Sequence, residues 1–409
     1  MVPSDGQHGF LSIKGLGFLL SALTFGAFFL RSEYKEAWIK SCMAFGATLS
    51  FLILWFLIGL IRGDVPLNSQ FDQFKLFIVT FYFPFATYLL LEARLISLTT
   101  LYKIIFYSAF SYVFCKVMLV TLHLLGGIDL WAWLDLVGFR FMRMDIIDGL
   151  DRVQTSADLA PPFIFFFVLR AEALGIPLSK KFKTVFAVFT LLSTFLSFSR
   201  LLLFVYVVSL GLAFLTLSLR TIRNGFIALL FLCTVSYIAI GPTTVHQVIE
   251  RRFFSRDNTA SDDIRIRQID ALYADFIQNP FLGKGLGASA SSYIRDPDSP
   301  HSYEVQWMAF LLQFGLLGSF LLSLPFLALA NKILNAPFSR FRLALFCSYA
   351  LFLTAGFTNP FLISLASGVL YTLYFTASST PFPYPLNSPS LKISPSSRLN
   401  SSVGRAAHS

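Results

Sequence analysis

Residues 184–219 read TVFAVFTLLSTFLSFSRLLLFVYVVSLGLAFLTLSL, and Arg200 carries the only charge in the run. As one helix the run would be about 54 Å long at ~1.5 Å per residue, against a hydrocarbon core of roughly 30 Å. It must therefore turn near its middle, and Ser197-Phe198-Ser199-Arg200 is the place. An arginine in open lipid is too costly, so Arg200 belongs at a membrane face or inside a cavity. Two short apolar helices joined by a tight turn imply a bundle that crosses a bilayer repeatedly.

Working outward, the composition agrees. Apolar residues make up 56% of the 409-residue chain and charged residues 13%, with 48 phenylalanines. A soluble domain of this size does not need so much apolar surface, whereas a bundle of spans about 20 residues long does. Apolar segments near 15–30, 41–61, 76–91, 104–125, 157–176, 184–199, 201–219, 225–243, 304–329, 343–360 and 362–377 predict an all-α fold. It is a polytopic transmembrane helical bundle of about eleven spans. The first segment has no small-residue cleavage site and ends in Arg31, so it counts as a span of one transmembrane domain, residues 1–377. Residues 378–409, rich in Ser and Pro, read as a disordered cytoplasmic tail. Cys42, Cys115, Cys233 and Cys347 lie far apart inside apolar runs and read as small core residues. The net charge of +10 fits an anionic membrane surface rather than nucleic acid in so apolar a chain.

Basic residues cluster in alternate short loops, among them Lys35 and Lys40, Arg94 and Lys103, Lys180, Lys181 and Lys183, and Arg340 and Arg342. The positive-inside rule makes those loops cytoplasmic. The N-terminus, the 127–156 loop, Arg200 and the long 244–303 loop then share the outer face.

The long outer loop is predicted to carry an amphipathic helix over about 264–278, capped by Ser261-Asp262-Asp263. At 100° per residue Ile269, Leu272, Tyr273 and Phe276 form its apolar face; Arg265 falls on that face and Arg267 opposite. Arg265 either points into the bundle or snorkels at the interface. The two aspartates are alternatively metal ligands, though capping is the commoner use of such a pair. Gly283-Lys284-Gly285-Leu286-Gly287 offers either backbone amides for a phosphate or a plain turn. It lacks P-loop spacing. His301 opens the next span; the other histidines, His8, His123, His246 and His408, form no metal-binding pattern with it or with one another. A lone histidine there is either an interfacial residue satisfied by backbone or a proton acceptor.

These features together resemble the O-antigen ligase and O-antigen polymerase superfamily of bacterial membrane glycosyltransferases. The family pattern is matched by Ser199-Arg200 between two spans, Arg265 ahead of Pro280, Gly283/Gly285/Gly287, His301-Ser302-Tyr303 and Gly315-Leu316-Leu317-Gly318. The match runs in order over roughly residues 150–375, with His-Ser where the family usually has His-Asn. The resemblance implies a fold like other C-type glycosyltransferases, with the active site on the periplasmic face of the inner membrane. It implies a donor glycan on undecaprenyl pyrophosphate and an acceptor sugar hydroxyl, of lipid A–core or similar, with no cofactor and no metal. Arg200 and Arg265 would stabilise the departing diphosphate, since guanidinium pairs bidentately with phosphate. His301 would take the acceptor proton. Gly283, Gly285, Gly287, Arg152 and Arg251 are the substrate-binding candidates, the arginines as attractors of an anionic donor. A repeat-unit polymerase uses the same donor chemistry. A transporter is the reading from another class, disfavoured because no inverted repeat is visible and Lys116 is the only charge plainly in mid-span.

Overall fold

The computed structural model describes residues 35–126, 128–130, 132, 142–147, 150–215, 234, 256–297, 299–335 and 337–379. The predicted spans near 15–30 and 225–243, Arg140, Arg251 and the tail beyond residue 379 lie outside them. Ten helices follow in chain order among the described residues: α1 (Lys35–Arg62), α2 (Leu67–Glu92), α3 (Leu98–Leu124), α4 (Ala160–Leu169), α5 (Lys180–Leu196), α6 (Arg200–Phe214), α7 (Arg256–Phe276), α8 (Gln306–Leu334), α9 (Arg340–Ala355) and α10 (Leu365–Ser379). Among the described residues four stretches are long and apolar enough to cross a membrane: Ser41–Arg62, Leu67–Glu92, Leu98–Leu124 and Gln306–Leu334.

The expectation of an all-α chain needs one amendment. The 127–156 region contains an antiparallel hairpin, β1 (Met142–Ile147) and β2 (Leu150–Gln154), in which Met144 pairs with Arg152. Asp-Gly at 148–149 between two strand-length runs is the usual sequence signature of such a hairpin. Arg152 is thus a strand residue.

Helix starts follow from local chemistry. Ser97, Ser179 and Ser339 each accept a hydrogen bond from the backbone N–H three residues on, at the N-termini of α3, α5 and α9. Thr155 and Asp158 form a capping box ahead of α4, so the chain turns into the bundle at a defined point. The turn expected between α5 and α6 is present: Phe198 takes a left-handed φ of 45°, and Arg200 starts α6.

α4 occupies the middle of the bundle. Phe163, Phe165, Phe166 and Phe167 are all fully buried, as a helix apolar on every side must be. Phe165 stacks on Tyr206 of α6, Phe163 meets Phe352 of α9, and Phe167 meets Tyr374 of α10. Successive helices reverse direction. One end of the bundle therefore gathers the α1–α2 junction, the end of α3, the 197–199 turn, residues 277–305 and residues 356–364.

Candidate functional site

Residues 280–287 are built into the bundle rather than laid on it. α8 breaks at Gly315, whose φ of 64° and ψ of −171° are not helical. An unbroken helix would bond the N–H groups of Leu316 and Leu317 to the carbonyls of Leu312 and Gln313. Instead Leu316 and Leu317 donate to Pro280 and Phe281 O (2.8 and 3.1 Å), while Lys284 and Gly285 donate to Leu312 and Gln313 O (2.8 and 2.9 Å). The loop thus splices into the break and satisfies both sides of it. Trp55 Nε1 of α1 closes the joint, 3.0 Å from both Leu282 O and Phe314 O.

That joint explains the glycines and corrects their expected role. A Cβ on Gly283 would lie 2.5 Å from Gln313 O, one on Gly285 2.3 Å from Gly59 Cα, and one on Gly287 2.6 Å from Gln70 N. All three have positive φ. Their amides are occupied as well: Gly283 N donates to Asn279 O, Leu286 N to Trp55 O, and Gly287 N to Gln73 Oε1. With Lys284 and Gly285 bonded to α8, every amide of the run is used by the fold. Gly283, Gly285 and Gly287 therefore offer no phosphate cradle. Lys284 is likewise engaged, 2.8 Å from the buried Asp275. Burial alone would raise the Asp275 carboxyl, but hydrogen bonds from Lys284 and Ser291 hold it below its ordinary value.

His301 stands beside this joint, half-buried, five residues before α8. Its Nδ1 is 3.1 Å from Ser69 Oγ of α2, and Ser69 Oγ is 2.7 Å from Gly287 O. A carbonyl can only accept, so the single hydroxyl proton of Ser69 goes to Gly287. Ser69 must then accept from His301, which assigns the ring proton to Nδ1 and leaves Nε2 bare. Burial lowers the His301 pKa from its ordinary value, against the opposing pull of Asp72 and Asp296. The neutral ring with an unprotonated Nε2 is the form a general base requires. His301 lines a small pocket together with Gln73, Leu76, Gln306, Phe310 and Pro360.

The arginines are distributed differently from the sequence expectation. Arg265 lies toward the bundle, its side chain 25% exposed, while Arg267 is exposed. Arg265 Nε donates to Glu304 Oε2 and its Nη1 to Asp262 Oδ1, both at 2.9 Å. Arg295 meets the other Glu304 oxygen at 3.3 Å. Asp262 is therefore an ion-pair partner inside α7, not a cap: the helix already runs at Arg256, more than a full turn before Asp262 and Asp263. Arg200 is half-buried at the start of α6, and among the described residues no side chain engages it. Neither Arg200 nor Arg265 lines the His301 pocket. Arg265 is tied to it through Glu304, three residues beyond His301.

Five participants escaped the sequence reading: Ser69, Gln73, Gln313, Arg295 and Glu304. Gln73 Nε2 donates to Gln313 Oε1 at 2.6 Å, and Gln313 Nε2 to Ala288 O at 3.0 Å, so this pair fixes the loop that carries Ser69's acceptor. The signal was available in part. Ser69, Gln70 and Gln73 stand on one side of α2 and are all buried, and buried polar groups need partners. Compared with protein-family models, with curated proteins and with solved structures, the chain matches none of them.

Proposed function

We propose that the chain is an O-antigen ligase-like membrane glycosyltransferase of about eleven spans, acting on the outer face of the bacterial inner membrane. It would move a glycan from undecaprenyl pyrophosphate to an acceptor sugar hydroxyl of lipid A–core or a similar glycan. The observation that carries this reading is His301, held by Ser69 with Nε2 bare at the end of the bundle that also bears Arg200, Arg265 and Arg295. In the reaction the acceptor oxygen attacks the anomeric carbon and its proton passes to Nε2 of His301. The bond from that carbon to the diphosphate oxygen breaks, and the lipid diphosphate leaves with the electron pair. Arg200, which no described side chain engages, would bring its guanidinium to the developing charge, and Arg265 would add the terminal nitrogen outside its two ion pairs.

A break in a membrane helix is also a transporter device, where freed backbone groups hold the substrate. Here the loop 280–285 takes those groups, which favours the enzyme reading. The test is a transfer assay with purified protein, a defined undecaprenyl-pyrophosphate donor and a defined core-type acceptor. Glycan appearing on the acceptor supports the proposal. Lengthened donor glycan in its place would mean a polymerase, and intact donor after prolonged incubation with folded protein would overturn both.

A further inference from the structure

α7 has three faces, where an ordinary surface helix has two. Gln268, Ala271, Leu272 and Asp275 are buried against α8 and the loop before it. Asp263, Arg267 and Asp270 are exposed and charged. Between these faces Ile266, Ile269 and Tyr273 are exposed at helical spacing, and Ile277, whose N–H still bonds Tyr273 O, extends the ridge. Two of the four residues of the expected apolar face, Ile269 and Tyr273, are therefore turned away from the bundle.

What covers the ridge follows from where it leads. It runs on to Phe281, 72% exposed, whose carbonyl accepts from Leu317 N of α8. Leu316, Leu317 and Phe320 continue the same exposed apolar surface down a helix long and apolar enough to span a membrane. Acyl chains must cover that side of α8. The ridge is the upper continuation of a lipid-facing surface, with a charged strip beside it for the water side. We infer that α7 lies in the bilayer interface, with Ile266, Ile269, Tyr273 and Ile277 immersed in the acyl region of one leaflet and Asp263, Arg267 and Asp270 in water. Arg265, at the border between the buried face and the ridge, is then held at the depth of lipid phosphates. The inference needs no catalytic assignment and stands whether or not the proposed reaction is correct.

The experiment uses the full chain in phosphatidylcholine–phosphatidylglycerol vesicles, with its four cysteines replaced by serine. Single Tyr273→Cys and Asp270→Cys variants carry an environment-sensitive fluorophore. Spin-labelled lipids should quench the Tyr273 position several-fold more than the Asp270 position, and aqueous iodide should show the reverse order. Equal iodide access at both positions would overturn the inference. So would a Tyr273 probe shielded from both quenchers, the pattern of a protein neighbour such as a second copy of the chain. Ile269→Cys repeats the reading on the same ridge in case Tyr273→Cys inserts poorly.

Discussion

As the proposed base, His301 has one ring nitrogen to act through, because Ser69 occupies the other. With the histidine's pKa depressed by burial, the base limb of the pH–rate profile at saturating donor should have its midpoint below the ordinary value of about 6.5. His301→Ala should remove that limb and cut turnover by about a hundredfold or more. Ser69→Ala should leave the limb in place but lower the rate about two- to tenfold, the worth of one hydrogen bond. A Ser69→Ala enzyme with wild-type rate and profile would show that the serine positions nothing. Among the arginines, Arg265→Ala should cost about 2.7–4 kcal/mol of transition-state stabilisation, or roughly a hundred- to thousandfold in rate. Arg267→Ala, altering an exposed side chain, should cost almost nothing. Because Arg265→Ala also leaves Glu304 short of a partner, the double variant Arg265→Ala/Glu304→Gln separates lost catalysis from lost folding. Equal activities for Arg265→Ala and Arg267→Ala, in well-inserted proteins, would end the assignment.

The splice between residues 280–285 and α8 is the element on which the site is built, and its glycines set its tolerance. Gly285→Ala combines left-handed strain of about 1–2 kcal/mol with a collision against the α1 backbone, for which overpacking adds about 1–3 kcal/mol. Gly63, also at positive φ but with open space around it, should lose only the strain when changed to alanine. Gly46, inside α1 with nothing near its missing Cβ, should gain about 0.5–1 kcal/mol. Melting temperatures in detergent should rise from Gly285→Ala through Gly63→Ala to Gly46→Ala, and a Gly285→Ala protein as stable as Gly63→Ala would contradict the close packing. Sequence could reveal that Gly283, Gly285, Gly287 and Gly315 were special, but not that they meet, because their contacts cross between a loop and a distant helix. The turn at Ser197–Arg200 was legible for the opposite reason: a chain segment too long for the bilayer must fold locally. α7 was misread at its start because residues 256–263 are polar and show no apolar period, so the Asp262-Asp263 pair imitates a cap. Ser69, 232 residues from His301, had no local signal linking the two.

Across the whole molecule, the central helices are pinned together by a charge that the sequence shows as an isolated lysine in mid-span. Lys116 of α3 lies 2.7 Å from Asp158, the capping-box residue ahead of α4, and 2.7 Å from Ser197 Oγ in the turn before Arg200. Tyr112 adds a hydrogen bond to the same carboxylate oxygen at 2.6 Å. Both charged side chains are almost wholly buried, 5% and 2% exposed, so neither can be left alone at low cost. The network links α3, the start of α4 and the end of α5, and so fixes the end of the bundle from which Arg200 emerges. Lys116→Met should destabilise the protein by about 3–5 kcal/mol, because Asp158 is left charged without its ammonium partner. Asp158→Asn should cost a comparable amount by stranding the lysine and weakening the cap. The double variant Lys116→Met/Asp158→Asn should be more stable than either single one, since a neutral pair carries no uncompensated charge. Thermal unfolding of the four proteins in one detergent gives the cycle directly. If the two single losses simply add in the double variant, Lys116 and Asp158 do not act as a pair, and the anchoring of the Arg200 turn must come from the aromatic packing around α4 instead.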